Sequence, residues 1–566
     1  HDGLQSIVRV KELSNQALNK AFGSPEMTRE NLGINGMKPL IPGKLELYGN
    51  LTYAHRHAES YQNYRLPSVM PQYYPGGFTP IETNEENDYA VTIGLKANNF
   101  LGFRWDLSTT WGQDYAKIGI KQSVNVDLYN ATGYSPTKAL LQSYTQTQWT
   151  NNLDLSRELR VPFLSGPLHT SFGVEERMES YDIGVGEEAG YYGSGTQAVV
   201  ATMPNSAGMY YRDVYAGYGD LEAHITPKWD LDFAGRVEYF SGTGATENGK
   251  IASRYNFNRW ISARATISNG FRAPTLAEQH FSNMVVSPTT AAGIVATDSI
   301  AARMLGSKPL KPERSTNVSG GFVLNPLPLL HITADVYQIN IRDRIVAGGS
   351  YNGIEAINAL EAQGYSFSSA LTPDSVSAQY FSNGASTRTQ GVDINIDYRT
   401  HFGRYGTVNW AVGIDLNRTV MHHMAKDNNG NPLLNAQQVA KLTRATPRSK
   451  IIMSANWTIG DLDLMVRETR WGQVTDMLTY TMGPLAWSNT TFIPFTLKPR
   501  WLTDVEVGYH VLPKLRLALG AYNVFNVHPT RFPYEASYLG VQAYDPQAQQ
   551  IGINGGYYYG RVDYRF

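Results

Sequence analysis

Segment after segment of this chain alternates apolar and polar residues one by one. Across 229–240, Trp229, Leu231, Phe233, Gly235, Val237 and Tyr239 are interleaved with Asp230, Asp232, Ala234, Arg236 and Glu238. Across 407–417, Val408, Trp410, Val412, Ile414 and Leu416 are interleaved with Asn409, Gly413 and Asp415. Segments 44–53, 392–399, 462–467 and 515–522 read the same way. The last ten residues place Tyr558, Gly560, Val562, Tyr564 and Phe566 on one face and Tyr557, Tyr559, Arg561, Asp563 and Arg565 on the other. Successive side chains of a strand point to opposite faces, so period two means strands with one apolar and one polar face. Helical spacing fits none of these segments. The chain is all-β.

Connection lengths then separate the architectures that alternation alone leaves open. Tight connections fall at 41–43, 98–102, 226–228, 326–329, 401–406 and 513–514. Long polar and aromatic ones fall near 57–86, 118–146, 182–209, 270–312, 345–386, 420–447, 473–500 and 526–555. A soluble sandwich has no reason to gather every long loop at one end, and no propeller repeat of ~40–45 residues is present. An outer-membrane barrel has short turns at one rim and long loops at the other. The sequence therefore predicts a transmembrane antiparallel up-and-down β-barrel over 29–566, with 1–28 in an extracellular loop. Trp229, Leu231, Phe233, Val412, Ile414, Val562 and Tyr564 should face lipid. Slipping the last strand by one residue would turn Arg561 and Arg565 outward, at up to ~2–4 kcal/mol each at the bilayer midplane.

Composition works by exclusion. No apolar run approaches the ~18 residues of a spanning helix. A length of 566 residues lies within reach of one large barrel. The absence of Cys removes disulfides and thiolate metal sites, and a net charge of −1 gives no whole-chain case for nucleic acid. The chain opens at His1 with neither initiator Met nor leader, as a processed or truncated product would. Counting gives roughly 19 strands, odd where single-chain bacterial barrels are even, with first and last running the same way. Further strands are expected before residue 1, unless the count is off by one.

Several segments in order, 268–281 (SNGFRAPTLAEQHF), 310–322 (LKPERSTNVSGGF), 337–346 (YQINIRDRIV), 386–398 (STRTQGVDINIDY), 519–531 (LGAYNVFNVHPTR) and the closing YYYGRVDYRF, resemble the TonB-dependent outer-membrane receptors from about residue 44 to 566. That resemblance implies a 22-stranded barrel with a plugged lumen, of which this chain would be strands four to 22. No TonB box and no plug segment is visible. It further implies a Gram-negative outer membrane, long loops outside, the C-terminus in the periplasm, and TonB with ExbB and ExbD as energising partners. Tyr558, Val562, Tyr564 and Phe566 resemble the signal read by the barrel-assembly machinery, although any closing edge strand would look alike.

The loops carry the candidate ligand chemistry. Stretches 60–78, 186–197 and 528–546 are rich in Tyr, Pro and Gly. Exposed aromatics with a few arginines grip planar or sugar-like ligands by stacking and hydrogen bonding. The ligand-binding candidates are Arg65, Tyr73, Tyr74, Tyr191, Tyr192, Arg531, Tyr534 and Tyr538. For any one of them the plainer reading is loop-against-loop packing, or a place near lipopolysaccharide and other outer-membrane lipid. His55 and His57 with Glu59, and the pair His422–His423, have no third or fourth ligand fixed by spacing, so they read as a polar rim and no metal is expected. Asp230, Asp232, Arg236, Glu238, Asp393, Asp397 and Asp563 read as a charged lumen wall. No phosphate loop appears, and Gly-containing 242–250 lacks the strand-to-helix context of one.

Three functions compete. The first is TonB-dependent active uptake of a scarce large solute, by default a ferric siderophore or other metal chelate, with an oligosaccharide as the alternative. The second is a passive porin-like channel. The third is an outer-membrane enzyme, for which no acid–His or Ser–His set can be placed, so the chain reads as a non-enzyme without cofactor.

Overall fold

The computed structural model describes residues 25–566 other than 101, 288–289, 369–370, 428–429, 538–541, 546 and 566. Residues 1–24, expected in an extracellular loop, lie outside the described residues. The main sheet has 22 strands, of which three are loop strands of two to four residues and nineteen are long. The long strands form an antiparallel meander, each hydrogen-bonded to the next in sequence, from Glu26–Ile41 to Tyr557–Tyr564. Strand Glu26–Ile41 already begins at residue 26 and pairs with Leu45–Tyr61. Strand Tyr557–Tyr564 pairs with Leu515–Tyr522. Among the described residues no ladder joins these two terminal strands, and both run from the loop end to the turn end. No helix of the described residues is long and apolar enough to cross a membrane.

Alternation sorts the two faces as expected. Phe233, Val237 and Tyr239 are exposed on the outer face of Trp229–Phe240. Between them, Asp232 meets Lys250 at 2.7 Å, and Arg236 pairs with Glu238 and, at 3.0 Å, with Glu175. At the last strand Val562 and Tyr564 are exposed outward, while Arg516 gathers Asp463 at 3.0 Å, Glu506 at 2.9 Å and Asp563 at 3.3 Å on the inner face. Tyr558 is exposed outward as well, and Phe566 lies outside the described residues. The inner wall is thus a set of ion pairs and the outer wall a band of aliphatic and aromatic side chains. That is the division a lipid-embedded barrel needs.

Turns at one rim are tight. Gly406 shows why one of them needs glycine: its φ is 82°, and a Cβ there would lie 2.0 Å from the Thr458 carbonyl oxygen. At the other rim the strands overshoot. Ile81–Phe100, Leu330–Asn352 and Val376–His401 carry pairing well into stretches that read as loop. Above the membrane one face of such a ribbon packs on loops, with Val376, Ala378 and Tyr380 buried in an apolar cluster, and the ladder continues there without facing lipid. The connection 241–243 on this rim is also tight, and most of the glycine-containing 242–250 is strand, within Gly244–Asn256.

Register is open to direct test. Val336 faces outward, 57 % exposed, six residues above the turn. Val336→Arg is expected to destabilise the folded barrel by about 2–4 kcal/mol, and an Arg at inward-facing Thr333 on the same strand by much less. Urea unfolding in micelles checks this, and equal losses would refute the register.

Candidate functional site

Eight long loops crowd the overshooting rim, and buried polar side chains fasten them to one another. The first hub is Arg65. Its backbone bridges Phe78, and its guanidinium donates to the carbonyls of Asn63 at 2.6 Å and Val286 at 2.9 Å and to Gln197 Oε1 at 3.3 Å. It is 1 % exposed. One side chain therefore ties loops 62–80, 185–207 and 273–312 together, and the structure places it as a clamp where the sequence suggested a ligand-facing arginine.

Asn125 does the same work one loop along. It caps helix Val126–Thr132 by accepting from Leu128 N–H at 2.9 Å, and donates to the carbonyls of Ala189 at 3.0 Å and Tyr192 at 2.7 Å. Further round, a three-stranded patch of Val199–Val200, Asn283–Val286 and Ala291–Ile294 docks in parallel on residues 376–379. Gln363 Oε1 accepts from Ile300 N–H at 3.1 Å, and Gln437 Nε2 donates to the Met477 carbonyl at 2.8 Å. Gln550 Nε2 reaches the carbonyls of Gly472, Leu497 and Lys498 at 3.0–3.1 Å. The loops form one connected canopy.

The candidate aromatics divide between its interior and its surface. Tyr74 stacks on Phe78 with centroids 4.3 Å apart, Tyr73 meets Tyr129 edge-on at 5.7 Å, and both pack on Met70 and Val124. Tyr73 Oη also accepts from Ser135 N–H at 3.2 Å. Tyr191 is half-buried between two apolar clusters. Tyr192, Arg531 and Tyr534 are exposed, the two tyrosines at 40 % and 50 %. Tyr538 lies outside the described residues. His55 approaches Asn87 at 3.1 Å and His57 approaches Glu59 at 3.2 Å, while Glu59 takes Lys121 at 2.5 Å. His422 and His423 are exposed, and among the described residues no group of three His, Cys, Asp or Glu side chains is placed to hold a metal ion.

The sequence of residues 44–524 matches the model of a family described as TonB dependent receptor-like, beta-barrel. The chain belongs to this family. No curated protein matches its sequence. Among solved structures, the siderophore receptor PirA from Acinetobacter baumannii superposes with a TM-score of 0.54 at 13 % identity, over 96 % of this chain and 78 % of its own. The ferric-catecholate import receptor Fiu from E. coli K12 gives 0.60 at 12 % identity, over 97 % and 76 %. The iron transporter FrpB from Neisseria meningitidis gives 0.60 at 12 %, over 95 % and 73 %. The shared fold is that of a transport receptor.

Within this receptor barrel the fastening residues were the least legible. Asn125, Gln363 and Gln550 are among the most buried polar side chains of the loops, yet in sequence each looks like ordinary loop polarity. A signal existed for Asn125 alone: an Asn ahead of a short helical run that ends on Gly133, whose φ is 76°. Two loop carboxylates, Asp476 and Asp545, are 1 % and 2 % exposed. Burial pushes both above the ordinary carboxylate range, and Asp545 is raised further by the charge of Asp476.

Two outcomes follow. Arg65→Ala strands the carbonyls of Asn63 and Val286, a local loss of about 2–3 kcal/mol. Limited proteolysis should then cut within 62–80, 185–207 or 273–312 while the barrel stays folded, and unchanged resistance would refute the clamp. An acid whose folded pKa is raised lends stability below its unfolded pKa, near 4, and loses it as pH rises through the folded value. Amide protection in 472–499 and 523–556 should therefore fall as pH rises above about 4, and Asp476→Asn should flatten that dependence.

Proposed function

We propose that this chain is the barrel of an active importer that captures a scarce solute on its loop canopy and passes it through the lumen at the expense of TonB. The observation that carries this reading is the canopy itself. A passive channel gains nothing from joining eight loops by buried hydrogen bonds, whereas a receptor that binds a dilute solute needs a pre-organised surface. The lumen supports it too: Asp335, Asp393 and Asp415 stand directly opposite one another on the inner wall, with Arg264 meeting Asp335 at 2.5 Å. Like charges in a row call for a cationic partner in the lumen, which a plug would supply. In this reading the loops face outward from the cell and the C-terminus lies in the periplasm.

The substrate class we favour is a ferric chelate, because the structural neighbours named above are described as siderophore, ferric-catecholate and iron receptors. Of the candidate residues, Tyr192, Arg531 and Tyr534 are those placed to touch it, since they are exposed on two different loops. A ring that stacks on a planar ligand contributes about 0.5–1.5 kcal/mol beyond area burial. Replacing Tyr192 and Tyr534 together with Ala should weaken capture of a radiolabelled ferric catecholate by intact cells about five- to 150-fold without changing barrel yield. Uptake should stop in cells lacking TonB or with a collapsed proton gradient. Equal uptake with and without TonB would leave the porin reading, and capture of a labelled oligosaccharide in place of the chelate would change the substrate class.

A further inference from the structure

Charge is distributed unequally between the two faces of the wall. Most inward arginines are neutralised: Arg177, Arg212, Arg236, Arg264, Arg272, Arg467 and Arg516 each meet a carboxylate, while Arg254 donates to the Asn256 amide oxygen at 3.2 Å. Four others share the parity of the exposed outer residues Val318, Val336 and Leu416 and so lie on the outer face: Arg314, Arg342, Arg388 and Arg418. Among the described residues none of these four forms an ion pair. They occupy four consecutive strands, and Arg314 stands directly opposite Arg342 across the ladder. Like charges so placed repel.

Their height is informative. Each lies 11 to 13 residues above its turn. At ~3.4 Å per residue and a tilt near 40°, that is about 30 Å, the loop-side edge of an apolar band ~25 Å tall. An unpaired Arg costs little there and several times more at the midplane.

The surface around them is shaped. Strands Gly244–Asn256 and Ile261–Arg272 part above the rung Lys250–Ser268, and Asn269 bridges the fork, accepting from Gly249 N–H and donating to the Glu247 carbonyl, both at 2.8 Å. A cavity of about 380 Å³ opens there, bordered by Arg314 and Arg342. Beside it runs a groove of about 810 Å³, also lined by Arg448, in which one rung holds Val318, Gln338, Gln390 and Arg418 and the next rung toward the turn holds Val336, Val392 and Leu416. Gly320 keeps its floor open, since a Cβ there would meet only the Arg264 carbonyl oxygen, 3.7 Å away. Two carboxylates are near, Glu247 on the cavity and exposed Asp343 beyond Arg342, and neither is paired with these arginines.

We propose that this outer-face patch binds a membrane lipid whose headgroup carries more than one phosphate, with its acyl chains along the apolar lower part of the groove. Four strands at ~4.8 Å spacing spread the guanidinium groups over about 14 Å, more than a single phosphate can bridge. Arginine suits the task because its fork meets phosphate with two hydrogen bonds. The apolar lower groove selects a lipid over a soluble anion.

The test uses the full chain purified in a non-ionic detergent. Mixed micelles would present bisphosphorylated lipid A, its monophosphoryl form or phosphatidylethanolamine, and native mass spectrometry would count bound lipid. Retention should fall in that order. The variant R314Q/R342Q/R388Q/R418Q should retain the bisphosphorylated lipid at least tenfold less, at about fivefold per arginine near an anionic surface before non-additivity. Arg157→Gln, an outer-face change near the turn rim, should match the parent. Heat-modifiable migration on gels reports folding, and the comparison of lipids on the parent protein stands whether or not the variant folds. Equal retention of all three lipids, or of the bisphosphorylated lipid by parent and variant, would overturn the proposal. Full displacement by millimolar inorganic phosphate would overturn the lipid and leave an anion site only.

Discussion

A peptide group inside hydrocarbon has no water to bond, so each N–H and C=O of a spanning strand must find its partner on a neighbouring strand. Most of what this receptor barrel shows follows from that requirement. It forces a continuous ladder through nineteen long strands, and the ladder fixes which residues share a face. Once Val336 stands opposite Val392 and Asp335 opposite Asp393, a slip of one rung would send a row of carboxylates into lipid. The aliphatic band and the ion-paired inner wall are two consequences of one register.

The fold was therefore legible wherever a strand separates oil from water. Trp229 to Phe240 and Tyr557 to Tyr564 read correctly from alternation alone, since each residue there answers to one solvent on its own side. Legibility ended at the loop rim. Strands such as Val376–His401 continue above the band, where Val376, Ala378 and Tyr380 pack on loop residues distant in sequence, and so brief an alternation does not mark a strand within a long loop. The tight connection 241–243 was hidden for the converse reason: Gly242 and Gly244 look like loop, although both serve a turn with positive φ.

The candidate site was half legible. Tyrosines and arginines on long loops stand out in the sequence, but sequence cannot tell a side chain that meets solvent from one that meets another loop. Arg65 resembles Arg531 in its surroundings of Tyr and Pro. One is fully buried on two carbonyls and a glutamine and the other is exposed, because two of the three partners of Arg65 come from 132 and 221 residues away. Contacts of such sequence separation leave no local pattern. Buried polar links also make the canopy cooperative. Removing one partner leaves another unsatisfied in a neighbouring loop, so the loops rise or settle together more readily than singly.

The same register that hides carboxylates from lipid also decides where a lone arginine can persist. On the inner wall a guanidinium beside water and carboxylates is neutralised by its neighbours, as Arg516 is by Asp463, Glu506 and Asp563. On the outer wall Arg314 and Arg342 form no ion pair among the described residues, and the ladder sets them face to face. Leu or Val at those two positions would serve a purely hydrophobic wall better, and Lys or Gln would serve a merely wet rim as well. Arginines stacked across four strands, over a groove that is apolar below and polar above, match the lipid phosphate layer of a membrane more closely than either.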